Sequence, residues 1–498
     1  MIIRNWKLIT DNVSYYLQLK KIMELETIIG LEIHVQMNTR SKMFCSCDND
    51  SFQKEPNTNI CPVCTGFPGQ LPVLNGEALK KGLLSALALN LEINEIFKFD
   101  RKHYFYPDNP KGYQISQYDE PMSKNGYLDI LDEDLNLKRI RIERVHLEDD
   151  AGKLTHAHNG SLCDFNRAGT PLMEIVTCPD MRSSTEAKNF AEKIQTIMRC
   201  VGSSDCDMEK GMMRFDASIS LRPKGEDKLY PRVEIKNLNS FRFLKEALDF
   251  EIEKQRKLWE NGTPITRPET AGWIANLGRT ETLREKEEAA DYRYFPEPDI
   301  PPFKMDKNYI EELRKSLPKL PEQKKEEYMD VYGIKEIDAQ SISNSSELSL
   351  LFDEAVRKSN DAKSVSNWLI TVLLGLLNQD KQEIKDLKFK GEDLGEMIIM
   401  INEGKISGKI AKDVFEEMYK VGAKPREIVE KKGLTQISDV GEIEKACEEV
   451  LNANPESVLD FKNGKDRALG RLVGEVMKKT SGKANPKMVN EILIGKIR

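Results

Sequence analysis

The stretch Thr27–Met37, TIIGLEIHVQM, decides how the first part of this chain folds. Ile29, Leu31, Ile33 and Val35 fall on alternate positions, with Glu32, His34 and Gln36 between them. A period of two makes this a β-strand with one apolar face and one polar, chemically equipped face. RFDASISL (214–221) and YPRVEIKNL (230–238) show the same β-branched alternation. Amphipathic helices are expected at Ser184–Cys200 and 241–259, where apolar residues recur at helical spacing.

The pattern changes after EPDIPPF (297–303). Pro298, Pro301 and Pro302 mark a joint, because proline ends helices and strands alike. Beyond Met305, Leu/Ile/Glu/Lys periodicity predicts successive helices over 348–379, 391–402, 407–421, 440–451 and 465–479. The fold class read from this is α+β: a sheet-based N-terminal part followed by helices.

Composition narrows the function. The 498 residues carry a formal net charge of −7, which excludes a protein that coats nucleic acid along its whole length. The last 38 residues, from Phe461, nonetheless hold ten Lys/Arg against three acids. The longest apolar run, 368–377, is far short of the ~20 residues needed to cross a bilayer. Neither a secretory leader nor a disulfide framework is legible in an N-terminus without an apolar core and an odd count of nine cysteines, so a cytoplasmic protein is expected.

Two clusters carry chemistry. Cys45-Ser-Cys47 and Cys61-Pro-Val-Cys64 are paired pairs separated by a short polar loop, the spacing of a four-thiolate structural zinc site. The other is dispersed: Glu32 and His34 on the polar strand face, His146, Glu148, Asp149 and Asp150 in VHLEDDAGK, and Glu174 in NRAGTPLMEIV. Carboxylates with an imidazole suit Mg²⁺ or Mn²⁺ better than zinc. Such charges are also common as a merely solvated strand face. Between them, DRKHYFYPDNPKGYQISQYDEP (100–121) interleaves Tyr104, Tyr106, Tyr113 and Tyr118 with Arg101, Lys102 and Lys111. Rings that stack on a base and cations that neutralise phosphate would account for this, and so would a loop packed by its tyrosines. Neither GxxxxGK[ST] nor GxGxxG is present in a suitable setting, so a nucleotide site must be built some other way.

Read in order, IIGLEIHVQ, FYPDNPKGYQISQ, HLEDDAGK, NRAGTPLMEIV, RFDASISL, EIKNLNSFRFL, DYRYFPEPDIPP and ALGRLVGEVMKKTSGKANP closely resemble the B-subunit family of aspartyl/glutamyl-tRNA amidotransferases, from about Met23 to the C-terminus. The resemblance implies ATP-dependent transamidation of misacylated Asp-tRNA(Asn) or Glu-tRNA(Gln). The side-chain carboxylate would be activated as an acyl phosphate, then amidated by ammonia that a partner A subunit frees from glutamine, with a small C subunit completing a heterotrimer. It implies Mg²⁺ on Glu32, His34, Glu148 and Glu174, and a catalytic set of Lys102, Lys111, Glu148 and Asp149, with Asp149 where the family commonly has glutamate. Tyr104, Tyr106 and Arg101 are the expected ATP contacts, and the Cys45/Cys47/Cys61/Cys64 zinc is structural.

The implied layout is an N-terminal extension (1–22) of no evident role and a cradle domain on an antiparallel sheet (23–303). A helical domain (304–425) follows, then a tail (426–498) whose Lys465, Arg467, Arg471, Lys478, Lys479 and Lys483 would touch tRNA. Two other readings compete: a noncatalytic tRNA-binding scaffold of the same complex, and a self-sufficient glutamine-dependent ligase. The second needs a nucleophilic cysteine, and Cys163, Cys178, Cys200, Cys206 and Cys447 have no evident catalytic setting.

Overall fold

TIIGLEIHVQM lies within strand β1 (Leu25–Gln36), near the middle of a nine-stranded sheet. The computed structural model describes residues 24–157, 159–285, 292–434, 440–480 and 484–497; the N-terminal extension, His158 and Lys483 lie outside them. The other strands are β2 (Glu92–Ile93), β3 (Ser123–Leu131), β4 (Leu137–Asp149), β5 (Pro171–Thr177), β6 (Met213–Pro223), β7 (Val233–Leu238), β8 (Glu269–Ile274) and β9 (Arg279–Glu285). They lie in the order β9-β8-β7-β6-β1-β5-β4-β3-β2.

Ile29, Leu31, Ile33 and Val35 are buried on one face of β1, as the alternation predicts. Each such side chain contributes about 2 kcal/mol over its exposed state. A slip of one residue would exchange them for Glu32 and His34, which is why the register is fixed. Helices Ser184–Cys200 and Phe241–Glu260 cover this face with Phe190, Ile194, Leu244 and Leu248. Both start on serine caps: Ser183 accepts from the Glu186 amide and Ser240 from that of Phe243. The sheet is antiparallel except at β7 and β8, which pair in parallel because the helix Phe241–Glu260 carries the chain between them.

The chain divides into two compact units between Leu320 and Pro321. The proline joint at 298–302 therefore does not end the first unit: helix Lys307–Ser316 follows it, and Leu313 packs into the sheet's core. The second unit is helical, with one hydrophobic core running from Tyr328 to Val429 and another from Ile443 to Ile497. Val429 and Ile428, just beyond the expected 425/426 joint, belong to the first of these cores. The span 348–379 is interrupted where Asn360 adopts φ 54° as the C-cap of helix Ser346–Ser359, and Asp361 caps the next helix. Helices Gly391–Asn402, Gly408–Val421, Val440–Ala453 and Arg467–Lys479 match the remaining expectations within a few residues.

Candidate active site and metal centres

The face of the sheet opposite the helices is polar, and strand register assembles it. On β1 His34 pairs with Glu174 of β5, and Glu174 in turn pairs with His146 of β4, forming a row across three strands. The His34 Nε2 lies 3.4 Å from Glu174 Oε2 and 4.0 Å from Glu148 Oε1. From the far side, His146 Nε2 comes within 3.4 Å of Glu174 Oε2 and 3.7 Å of Glu148 Oε2. Glu148 also accepts from Ser116 Oγ at 3.0 Å. One ligand atom each from His34, Glu148 and Glu174 lies within 4.8 Å of the others, a spacing that a divalent cation can bridge.

Glu32 lines the same face and has closer partners of its own. It faces Asp216 across the β1–β6 pair and clusters with Asp216 and Glu234. Lys236 closes this second cluster, with its Nζ 2.7 Å from Asp216, 3.9 Å from Glu32 and in contact with Glu234. The four expected magnesium ligands are thus brought to one face but divided between two neighbouring groups.

Both groups open into a cavity of about 810 Å³ that is also lined by Lys102, Tyr118, Tyr292 and Tyr294. Tyr118 and Tyr294 stack with ring centroids 4.4 Å apart, and the Lys102 ammonium sits 5.0 Å from the centre of the Tyr292 ring. Of the expected ATP contacts, Tyr106 is exposed and neither it nor Tyr104 is among the described residues lining this cavity. Arg101 is engaged by Glu297 at 2.7 and 2.8 Å and by Asp299 at 3.2 Å, with its guanidinium over Tyr113.

Lys111 and Asp149 form an ion pair in a separate cavity of about 200 Å³, whose wall includes Cys45, Cys64 and Arg101. Adjacent positions on β4 point to opposite sides, so Glu148 joins His34 and Glu174 beside the large cavity and Asp149 lines the small one. Asp149 Oδ1 also accepts from the Ile115 amide at 2.9 Å. Lys102 and Lys111 accordingly stand in different cavities.

Electrostatics follow burial and pairing. Burial works against charge on His146, but Glu174 and Glu148 outweigh it and raise its pKa to about 9. Glu174 is held well below the usual carboxylate range, because its two imidazole neighbours overcome its desolvation. Burial and the field of Glu174 push Glu32 up. Lys102 is also raised: desolvation opposes its charge, and the fields of Glu148, Tyr294, Glu174 and Tyr292 together outweigh it. Buried groups of both signs therefore hold one another's charge at this cavity, a pattern common at functional sites.

In the first unit, the four cysteines converge as their spacing predicts. One Sγ each from Cys45, Cys47, Cys61 and Cys64 lies within 4.8 Å of the rest, close to the ~3.8 Å sulfur separation of a zinc tetrahedron with ~2.3 Å bonds. The Cys61 amide donates to Cys64 Sγ at 3.2 Å. This donor set fits zinc, with no place left for water.

In the second unit, Arg467, Arg471 and Lys478 are exposed along helix Arg467–Lys479, whereas Leu472 and Val476 are buried. Lys465 and Lys479 are taken up by Asp460 and Glu449. Sequence reasoning missed Asp216, Glu234, Lys236, Tyr292 and Tyr294 as site residues. The alternation in RFDASISL and VEIKNL carries the first three, and only cross-strand register shows that they meet Glu32.

A polar sheet face that concentrates buried acids, imidazoles and an ammonium at a cavity is the arrangement expected of a catalytic domain. Residues 27–311 match the GatB/GatE catalytic domain and residues 350–497 the GatB domain. Among curated relatives, the B subunit of the aspartyl/glutamyl-tRNA(Asn/Gln) amidotransferase of Persephonella marina is 53% identical over 472 residues, 95% of this chain and 99% of its own. Those of Carboxydothermus hydrogenoformans and Thermotoga maritima are each 48% identical, covering 95% of this chain and 99% and 98% of theirs. The chain belongs to this family of amidotransferase B subunits.

Proposed function

We propose that this chain performs the activation and amidation steps by which a glutamine-dependent amidotransferase converts misacylated Asp-tRNA(Asn), Glu-tRNA(Gln) or both. The observation that carries the reading is the His34–Glu174–His146 row with Glu148, poised at the 810 Å³ cavity. His34, Glu148 and Glu174 would hold Mg²⁺, which when bound neutralises charge on the phosphoryl group passing from ATP to the substrate carboxylate. Lys102 stabilises negative charge on the acyl phosphate, whose phosphate then leaves as ammonia attacks the carbonyl. The stacked Tyr118 and Tyr294 offer a flat surface to a nucleobase, a better candidate contact than Tyr104, Tyr106 or the carboxylate-bound Arg101.

Lys111 and Asp149 polarise the small cavity, where ammonia supplied by a partner A subunit would enter; a small C subunit would complete the complex. Zinc held by the four cysteines would fix the wall that Cys45 and Cys64 contribute to that cavity. The tail, 426–498, supplies tRNA-backbone contacts through Arg467, Arg471 and Lys478, joined by Lys465, Lys479 and Lys483. No described helix is long and apolar enough to cross a membrane, and a translation enzyme of this kind works in the cytoplasm.

A noncatalytic scaffold would have no use for this buried cluster of carboxylates and imidazoles at a cavity. The test is Glu148→Gln in the reconstituted complex. Loss of tRNA-dependent ATP turnover, with glutamine hydrolysis by the partner retained in part, supports the reading; unchanged turnover refutes it.

A further inference from the structure

Lys42 is completely buried, and no carboxylate pairs with it among the described residues. Its Nζ donates to the Asn59 carbonyl at 2.9 Å and to Cys64 Sγ at 3.7 Å. Its own amide donates to the Cys47 carbonyl at 2.9 Å, so the residue touches both cysteine pairs. Gly169 packs against the same spot in a left-handed conformation (φ +87°), and a Cβ there would lie 3.2 Å from Cys64 Cβ and 3.5 Å from Lys42 Cδ. Among the described residues, the ammonium therefore meets only sulfur and a carbonyl.

A buried ammonium without an anion is strongly unfavourable. Four thiolates around a divalent zinc ion carry a net charge of −2, and a cation beside one sulfur offsets half of that. We propose that Lys42 is the charge-compensating residue of a zinc tetrathiolate formed by Cys45, Cys47, Cys61 and Cys64, acting as an outer-sphere positioning group on Cys64. The inference rests on the zinc reading above and adds a reason for it: lysine and metal site each make the other's burial tolerable. The competing explanation is that Lys42 is retained for the packing of its stem and its bond to Asn59.

Two variants of the full chain separate these. Lys42→Met keeps the apolar stem and removes the charge; Lys42→Gln keeps a donor for Asn59 without the charge. Zinc affinity is measured by competition with a chromophoric chelator, and melting temperature is followed with zinc loaded and after stripping under reducing conditions. Loss of an outer-sphere partner should weaken zinc binding by about 10- to 100-fold in both variants. Lys42→Met should also lower the melting temperature of the zinc-loaded chain by more than that of the stripped chain. A packing residue would lower both alike. Wild-type zinc affinity in Lys42→Gln overturns the proposal alone, whereas a wild-type chain that takes up no zinc overturns the zinc reading with it.

Discussion

His34 on β1 and Glu174 on β5 are direct partners across an antiparallel pair, with Nε2 and Oε2 3.4 Å apart. Two positions back along β1, Glu32 shares its space with Asp216, Glu234 and Lys236 instead. These two neighbours from one strand should therefore respond differently to loss of charge. Glu174→Gln is expected to weaken Mn²⁺ binding, read by the free-ion spin-resonance signal, at least tenfold. Glu32→Gln leaves His34, Glu148 and Glu174, the proposed ligands, in place and should change it several-fold less. Equal losses in the two variants would return Glu32 to the primary ligand set.

Asp150 gives a prediction in pH. It accepts from Gln36 Nε2 at 2.9 Å and Arg214 at 3.1 Å, with Arg167 at 3.5 Å. Burial would raise its pKa, but the two guanidinium groups outweigh burial and hold it at about 2. A folded-state pKa below the unfolded value stabilises the fold above about pH 4, and that stability is lost as pH falls toward 2. The displacement corresponds to about 2 kcal/mol. Asp150→Asn should lower stability at pH 7 by about that amount, and denaturant titrations between pH 4 and 2 should show a flatter acid limb than wild type. An unaltered acid limb would mean that the arginines do not sense this carboxylate.

Much of this was legible in the sequence, and the rest was not, for one physical reason. Alternation along TIIGLEIHVQM is local, so the buried row of β1 and the chemical nature of its other face follow from the residues alone. Register between strands distant in sequence is not local. Nothing in RFDASISL or VEIKNL by itself shows that Asp216 and Glu234 capture Glu32 and leave His34 to Glu174. The aromatic wall shows the same limit: Tyr118 lies in the tyrosine-rich stretch 100–121, but its stacking partner Tyr294 is far along the chain. The break at Asn360 rests on the Asn-Asp pair, a cap signal inside an otherwise continuous helical pattern.

Gly395 tests the packing of the helical unit. A Cβ at this position would stand 2.7 Å from the Ala355 carbonyl oxygen and 2.7 Å from Lys358 Cβ on helix Ser346–Ser359. Alanine favours the helix by about 1 kcal/mol, but overpacking against a backbone carbonyl that cannot rotate away costs about 1–3 kcal/mol. The clash should win, so Gly395→Ala is expected to lower thermal stability. At Gly375, on helix Leu374–Asp380, an added Cβ would meet nothing within 4 Å. There Gly375→Ala should be neutral or stabilising, and a matching loss at both sites would show that close helix approach is not the cause.

The tail's role turns on which of its cations are free to act. Arg467, Arg471 and Lys478 are exposed on a helix whose opposite side is buried through Leu472 and Val476. On a helix, positions four and eleven residues apart share a face, so the three form one basic stripe. Lys465 and Lys479, already paired with Asp460 and Glu449, should contribute less. Replacing the three stripe residues with alanine should raise the KM for aminoacyl-tRNA and leave glutamine hydrolysis and zinc content near wild type. Each lost phosphate contact should flatten the dependence of log affinity on log salt by about one. Alanine at Lys465 and Lys479 should flatten it less. If the triple variant keeps the wild-type affinity and salt slope, the stripe is a solvated helix face, and tRNA must be held elsewhere on the chain or by its partners.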